Sequence, residues 1–219
     1  MSALTKGLLG TIGLAGALLL ASCAAITPTP PQLYTLTPRQ TVDTAAPRVN
    51  WQLLVEAPVA AAGIDTPRIA VTRTPTSIDY FADVSWADRV PLMVQGLIVR
   101  SLEDSGKIVS VGRDTVGLRS DFLLKTDLRD FQAEHSDPNA RHPDRVHIRL
   151  SAKLVAMPRR IIEAGETFEA TVPVRGPEFS NVVAAFNEAM GRVTSDLVAW
   201  TLRVGAAVER AGSDGRPRT

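Results

Sequence analysis

Apolar and polar residues alternate with period two along three runs in the second half of the chain. In "DFLLKTDLRDF", Phe122, Leu124, Thr126 and Leu128 fall on one side and Lys125, Asp127 and Arg129 on the other. In "RVHIRLSAKLVA" the inward set is Val146, Ile148, Leu150, Ala152 and Leu154, and the outward set is Arg145, His147, Arg149, Ser151 and Lys153. "TFEATVPV" repeats the pattern with Phe168, Ala170, Val172 and Val174, and the turn before it is expected at Ala164 to Glu166. One apolar and one wet face per strand is what an antiparallel sheet permits. The period then lengthens. Phe179, Val183, Phe186, Met190, Val193, Leu197, Trp200 and Val204 recur at spacings of three and four, which predicts a long helix covering the apolar face of the sheet. Subunit packing, giving a homo-oligomer, is the alternative use of so long a stripe.

The first half predicts shorter elements. "QLYTL" and "WQLLVEA" read as strands, and "RIAVTRTPTSIDYF" as a hairpin turning near Thr74 to Thr76, where Pro75 breaks pairing. A helix follows, with Ser85 expected to cap it and Asp88 three residues on. Its apolar positions are Val90, Val94, Leu97, Ile98 and Leu102, and Gly106 suits its end. "KIVSVG" reads as one more strand. The pattern predicts an α+β domain over residues 33–205: an antiparallel-rich sheet with two main amphipathic helices packed on it. A disordered polar tail is expected at 206–219.

The first 32 residues obey a different logic. "MSALTKGLLGTIGLAGALLLASC" has one positive charge at Lys6, an apolar stretch from Gly7 to Leu20, then the small residues Ala21 and Ser22. That is the layout of a secretory signal, and it is marginal in length for a membrane span. The chain has one cysteine, Cys23, which closes no intramolecular disulfide and makes no cysteine-based metal site. "LASC", Leu20 to Cys23, resembles the lipobox of bacterial lipoproteins. The resemblance implies a diacylglycerol on the Cys23 sulfur, removal of residues 1–22 and acylation of the freed amine; an ordinary signal peptide with an accidental cysteine is the alternative. Two or three acyl chains anchor durably where one is marginal. The prolines of "AAITPTPP" then favour an extended tether within 23–32, spanning about 25 Å. By resemblance to enterobacterial sorting, Ala24 after the cysteine favours the outer membrane over the inner.

Charge and motifs narrow the function. A formal net charge of +1 argues against nucleic acid as a partner. The sequence has no G-x-S-x-G elbow, no G-x-G-x-x-G and no P-loop, so this chain is not the ATPase of a transporter. His135, His142 and His147 are spaced unlike any common zinc motif. The acid pairs Asp127 with Asp130 and Glu163 with Glu166 alternate with bases and read as solvated faces. "MPRRII", Met157 to Ile162, offers basic residues to lipid headgroups, or else protects a strand edge.

Tyr34 to Leu36, Tyr80, Trp86 with Ala87, Val111 to Arg113, Leu128 to Phe131, "RLSAKLV" and the final helix occur in this order after the lipobox. In that order they resemble the ABC-type transport auxiliary lipoproteins, the PqiC-like family. The resemblance implies an α+β fold and an envelope location beside an ABC permease and ATPase. It also implies a periplasmic substrate-binding partner of the mammalian-cell-entry (MCE) type, moving phospholipid between membranes. It carries over no catalytic residue, and no cofactor beyond the covalent lipid on Cys23. Tyr80 and Trp86 are the candidate partner contacts, because aromatic rings anchor interfaces, with core packing the alternative for Trp86. Another envelope assembly or peptidoglycan-binding lipoprotein, or a small anchored enzyme, are the rival functions.

Overall fold

The computed structural model describes residues 30–38, 43–114 and 119–213. Its contacts set Met1–Pro31 apart from a single unit, Gln32–Thr219, and the fold below is that of the second unit. Cys23 lies outside the described residues, and so do residues 214–219 of the expected tail.

Strand β7 (Phe122–Glu134) is the spine of a nine-stranded sheet. One edge pairs antiparallel along its whole length with β8 (Arg145–Ala156), from Phe122 opposite Ala156 to Glu134 opposite Arg145. β8 pairs in turn, again antiparallel, with β9 (Ile161–Pro173). The other edge of β7 takes three short parallel strands in succession. β2 (Val49–Val55) pairs at Phe122 to Leu124, β3 (Val59–Ala60) at Asp127 and Leu128, and β4 (Arg68–Thr72) at Ala133 and Glu134. β6 (Ile108–Arg113) lies beyond β2, while β5 (Asp79–Trp86) and then β1 (Gln32–Tyr34) lie beyond β4. The fold is therefore α+β, as the pattern predicts: the long ladders are antiparallel, and parallel pairing is confined to the short strands.

The alternation in β7 and β8 places side chains as expected. Phe122, Leu124, Leu128, Val146, Ile148, Leu150, Ala152 and Leu154 are all buried. A bulge between Leu128 and Asp130 shifts the phase of β7, so Phe131 and Ala133 point inward beyond it. Two helices cover this face. α1 (Val90–Asp104) contributes Val94, Ile98 and Leu102, and its buried Gln95 donates through Nε2 to the Val55 carbonyl of β2 at 2.8 Å. α2 (Phe179–Ser213), 35 residues and about 52 Å long, lays Phe186, Met190, Val193 and Leu197 on the sheet. Small residues, Ala185 and Ala189, share that buried face and let the helix approach closely.

Three expectations are corrected. Ser85 caps no helix: it belongs to β5, its Oγ donates to the Pro67 carbonyl at 2.8 Å, and α1 starts only after Arg89, with Pro91 in its first turn. The turn before β9 is not at Ala164 to Glu166, which lie within the strand. It is at Met157 to Arg160, where Arg160 takes a positive φ of 58°. Gly165 suggests a turn in the sequence, but it stands opposite Lys153 in the ladder. Residues 206–213, placed in the polar tail, continue α2, and Ala206 and Val208 pack against the core. By contrast the Thr74 turn forms where expected, closed by Ser77 N–H donating to the Thr74 carbonyl at 3.2 Å. Gly106 ends the first helical segment with φ of 60°.

Candidate functional site

Trp86 is only 1% exposed, so it presents no contact surface. β5 runs on to this residue, and its backbone N–H donates to the Pro67 carbonyl at 2.7 Å, which fixes the indole inward. There it packs edge-on against Phe131 of β7 and Phe186 of α2, at centroid distances of 6.0 and 5.1 Å. Phe131 and Phe186 are themselves 5.1 Å apart, so the three rings form the aromatic centre of the core. The indole takes the alternative role that its sequence context allowed, packing between helix and sheet.

Tyr80, six residues earlier on the same strand, is half-buried. Its hydroxyl donates to the Gly63 carbonyl at 3.1 Å, and the Arg68 guanidinium lies 3.6 Å from its ring centroid. The structure thus separates the two candidate aromatics: one is core, and the other reaches solvent under an arginine. Sequence reasoning missed a further group. Tyr34 of β1 and Phe81 of β5 both pack edge-on against Phe179 at the start of α2, at 5.1 and 4.9 Å, and all three are half-buried. Beside them the Thr37 N–H donates to Asn187 Oδ1 at 2.7 Å. The segment that enters the domain is thereby held on the long helix. The signal was present in the "YTL" run and the head of the stripe, but only the parallel pairing of β1 with β5 brings them together.

The wet face of the sheet is a ladder of matched charges. Arg149 Nε donates to Asp130 at 2.5 Å, and Arg145 Nε donates to Glu134 at 2.8 Å. The His147 ring bridges two strands, with Nδ1 3.1 Å from Glu134 and Nε2 2.8 Å from Glu169. Burial alone would raise the Glu134 pKa, but hydrogen bonds from Arg145, Gln132 and His147 outweigh it and hold the carboxyl below its ordinary value. Asp144 behaves alike: burial opposes, and the Ser136 hydroxyl and N–H prevail, at 2.6 Å each. His135 is buried with no hydrogen-bond partner for Nδ1. Burial first, then the Arg73 charge, pushes its pKa down. The three histidines do not converge: His147 is in the ladder, His135 is buried at the end of β7, and His142 is exposed in the loop. Among the described residues no group of three or more His, Cys, Asp or Glu is placed to hold a metal ion. Asp127 and Asp130 are likewise partnered to different arginines, Arg129 at 3.5 Å and Arg149. Among the described residues no helix is long and apolar enough to cross a membrane, which says nothing of β-barrels.

A two-helix α+β domain with long antiparallel ladders, an aromatic core and a charge-matched outer face defines the class. Residues 34–198 match the model of the ABC-type transport auxiliary lipoprotein component family, and the chain belongs to that family. It is a family of envelope lipoproteins associated with ABC transport, not an enzyme family. A solved protein of Xanthomonas campestris is 36% identical, with a TM-score of 0.74 over 82% of this chain and 99% of that one. A second solved structure shares the fold alone, at 12% identity and TM-score 0.60, over 78% of this chain and 97% of that one. A protein of Bradyrhizobium diazoefficiens is 28% identical over 174 residues; the match takes in 77% of this chain and 44% of that longer protein.

Proposed function

We propose that this chain is the outer-membrane auxiliary lipoprotein of an ABC/MCE-type system moving phospholipid between the two membranes. The observation that carries the reading is the order of the chain: "LASC" and a proline-rich stretch stand directly ahead of a domain belonging to the transport auxiliary family. Cys23 is the lipid attachment site, Ala24 directs the protein to the outer membrane, and the domain faces the periplasm. There it docks an MCE-domain substrate-binding protein that communicates with the permease and ATPase. The solvent-reaching aromatics suit the docking role, Tyr80 under Arg68 and the Tyr34–Phe81–Phe179 group beside the entering segment.

The test is crosslinking in intact cells followed by copurification of the membrane-extracted protein. Recovery of an MCE-domain protein is the expected result. Repeated recovery of outer-membrane assembly proteins or peptidoglycan instead, with no MCE-domain protein, would replace this reading with the corresponding rival.

A further inference from the structure

The tip of the β8–β9 hairpin combines charge and apolar surface with no use inside the domain. Arg159 and Arg160 are exposed in the turn, and neither makes an ion pair among the described residues. The next two residues, Ile161 and Ile162, are 39% and 57% exposed. Neighbouring strand residues ordinarily point to opposite faces, so two exposed aliphatics in sequence leave neither face of the strand end covered. Their register explains it: Ile161 stands opposite Ala156 and Ile162 opposite Val155, at the end of the ladder just past an irregularity at Leu154. Met157, Pro158 and Arg160 also line a cleft with Leu54, Leu123 and Arg119, whose acidic residues are Glu56, held by Lys125, and Asp114.

We infer that this tip is a membrane contact, in which Arg159 and Arg160 engage anionic lipid headgroups while Ile161 and Ile162 enter the interfacial layer. Paired arginines beside bare aliphatics fit the headgroup–acyl boundary, where a positive rim and an apolar insert are both satisfied. A protein partner is the poorer match: contact centres are depleted in charge and enriched in aromatic rings, and the tip has two guanidiniums with no ion pair among the described residues and no aromatic ring. The inference rests on the tip alone and does not depend on lipidation of Cys23.

Tryptophan fluorescence tests it in the full chain, because Trp51, Trp86 and Trp200 are all buried and report no surface event. Ile162→Trp is compared with Ile78→Trp, which sits by the β4–β5 turn at the other end of β7. Each is mixed with phosphatidylglycerol vesicles containing brominated phosphatidylcholine. The emission that Ile162→Trp adds to that of the parent chain is expected to fall to roughly half, as for a side chain within the interfacial layer, while the emission that Ile78→Trp adds is unchanged. Adding Arg159→Glu and Arg160→Glu, or using vesicles with the same brominated phosphatidylcholine and no phosphatidylglycerol, is expected to restore the emission. Arg159→Gln with Arg160→Gln gives a milder second variant, and thermal unfolding confirms that each remains folded. Absence of quenching at position 162, equal quenching at 78, or quenching that persists after charge reversal would each overturn the proposal.

Discussion

Gly205 of α2 lies directly against the ring of Trp51 on β2. A Cβ at position 205 would be 2.2 Å from Trp51 Cζ2 and 2.7 Å from Cε2, closer than any unstrained contact. Trp51 is 3% exposed and already packed edge-on to Phe122 at 4.9 Å, so the indole has nowhere to retreat. Gly205→Ala is therefore expected to destabilise the domain by about 1–3 kcal/mol, the usual cost of overpacking. Urea unfolding measures it, and in a Trp51→Leu background the same substitution should cost less, because the two residues share one space.

Trp86 and Tyr80 should separate cleanly by mutation. Trp86→Ala removes the centre of the aromatic core and is expected to cost about 3–5 kcal/mol. Tyr80→Phe gives up one hydrogen bond, to Gly63, and should cost only about 1 kcal/mol. A drop in crosslinking to the proposed MCE-domain partner with Tyr80→Ala, at stability matched by denaturation, would mark a contact. Unchanged crosslinking would remove Tyr80 from the docking surface.

Glu134 links the outer face to acid stability. Its pKa is lower in the folded protein than the ordinary 4.5, so its contribution is complete above that value and lost as pH falls through the lower, folded one. Glu134→Gln should cost about 1.5–3 kcal/mol at neutral pH, the range for hydrogen bonds to a charged group. It should also flatten the acid limb of stability measured by denaturation from neutral pH downward.

His135 acts in the same direction at a higher pH. Its folded pKa lies below the ordinary 6.5 because the neutral ring is favoured, so stability is complete above 6.5 and declines as pH falls through the folded value. Replacement by Gln should reduce the slope of stability as pH falls below 6.5. An unchanged slope would assign that titration to another group.

Cys23→Ser tests the anchor independently of the domain. The expected product is unprocessed or soluble. Membrane extraction and electrophoretic mobility identical to the parent chain would sink the lipobox assignment.

The long strands were legible because one of their faces is wet. In β8 every second residue from Arg145 to Lys153 is polar and every intervening one buries, so period and environment agree. The start of α1 was misread for a tertiary reason: Ser85 has the chemistry of a cap, but Trp86 must reach Phe131 and Phe186, which keeps both residues in β5. The β8–β9 turn was misplaced because Gly165 looks like a breaker, whereas the chain reverses at Arg160. The Tyr34–Phe81–Phe179 group and the Gly205–Trp51 contact were invisible, since each joins residues more than 90 positions apart through pairing and packing that no local pattern encodes.

The spine strand also sets an order of assembly. β2, β3 and β4 are each completed by a different stretch of β7, so none of the first three parallel pairings onto the spine exists until residues 122–134 are available. Entropy of long loops must be spent before those pairings return anything, which slows folding relative to a locally paired sheet. A chain emerging from its N-terminus thus presents roughly its first half as separate pairings, β1 and β4 with β5 and β2 with β6, not yet joined into one sheet. β7 is the splint that turns them into one sheet, and its arrival is the step at which an unfinished, aggregation-prone chain becomes a domain.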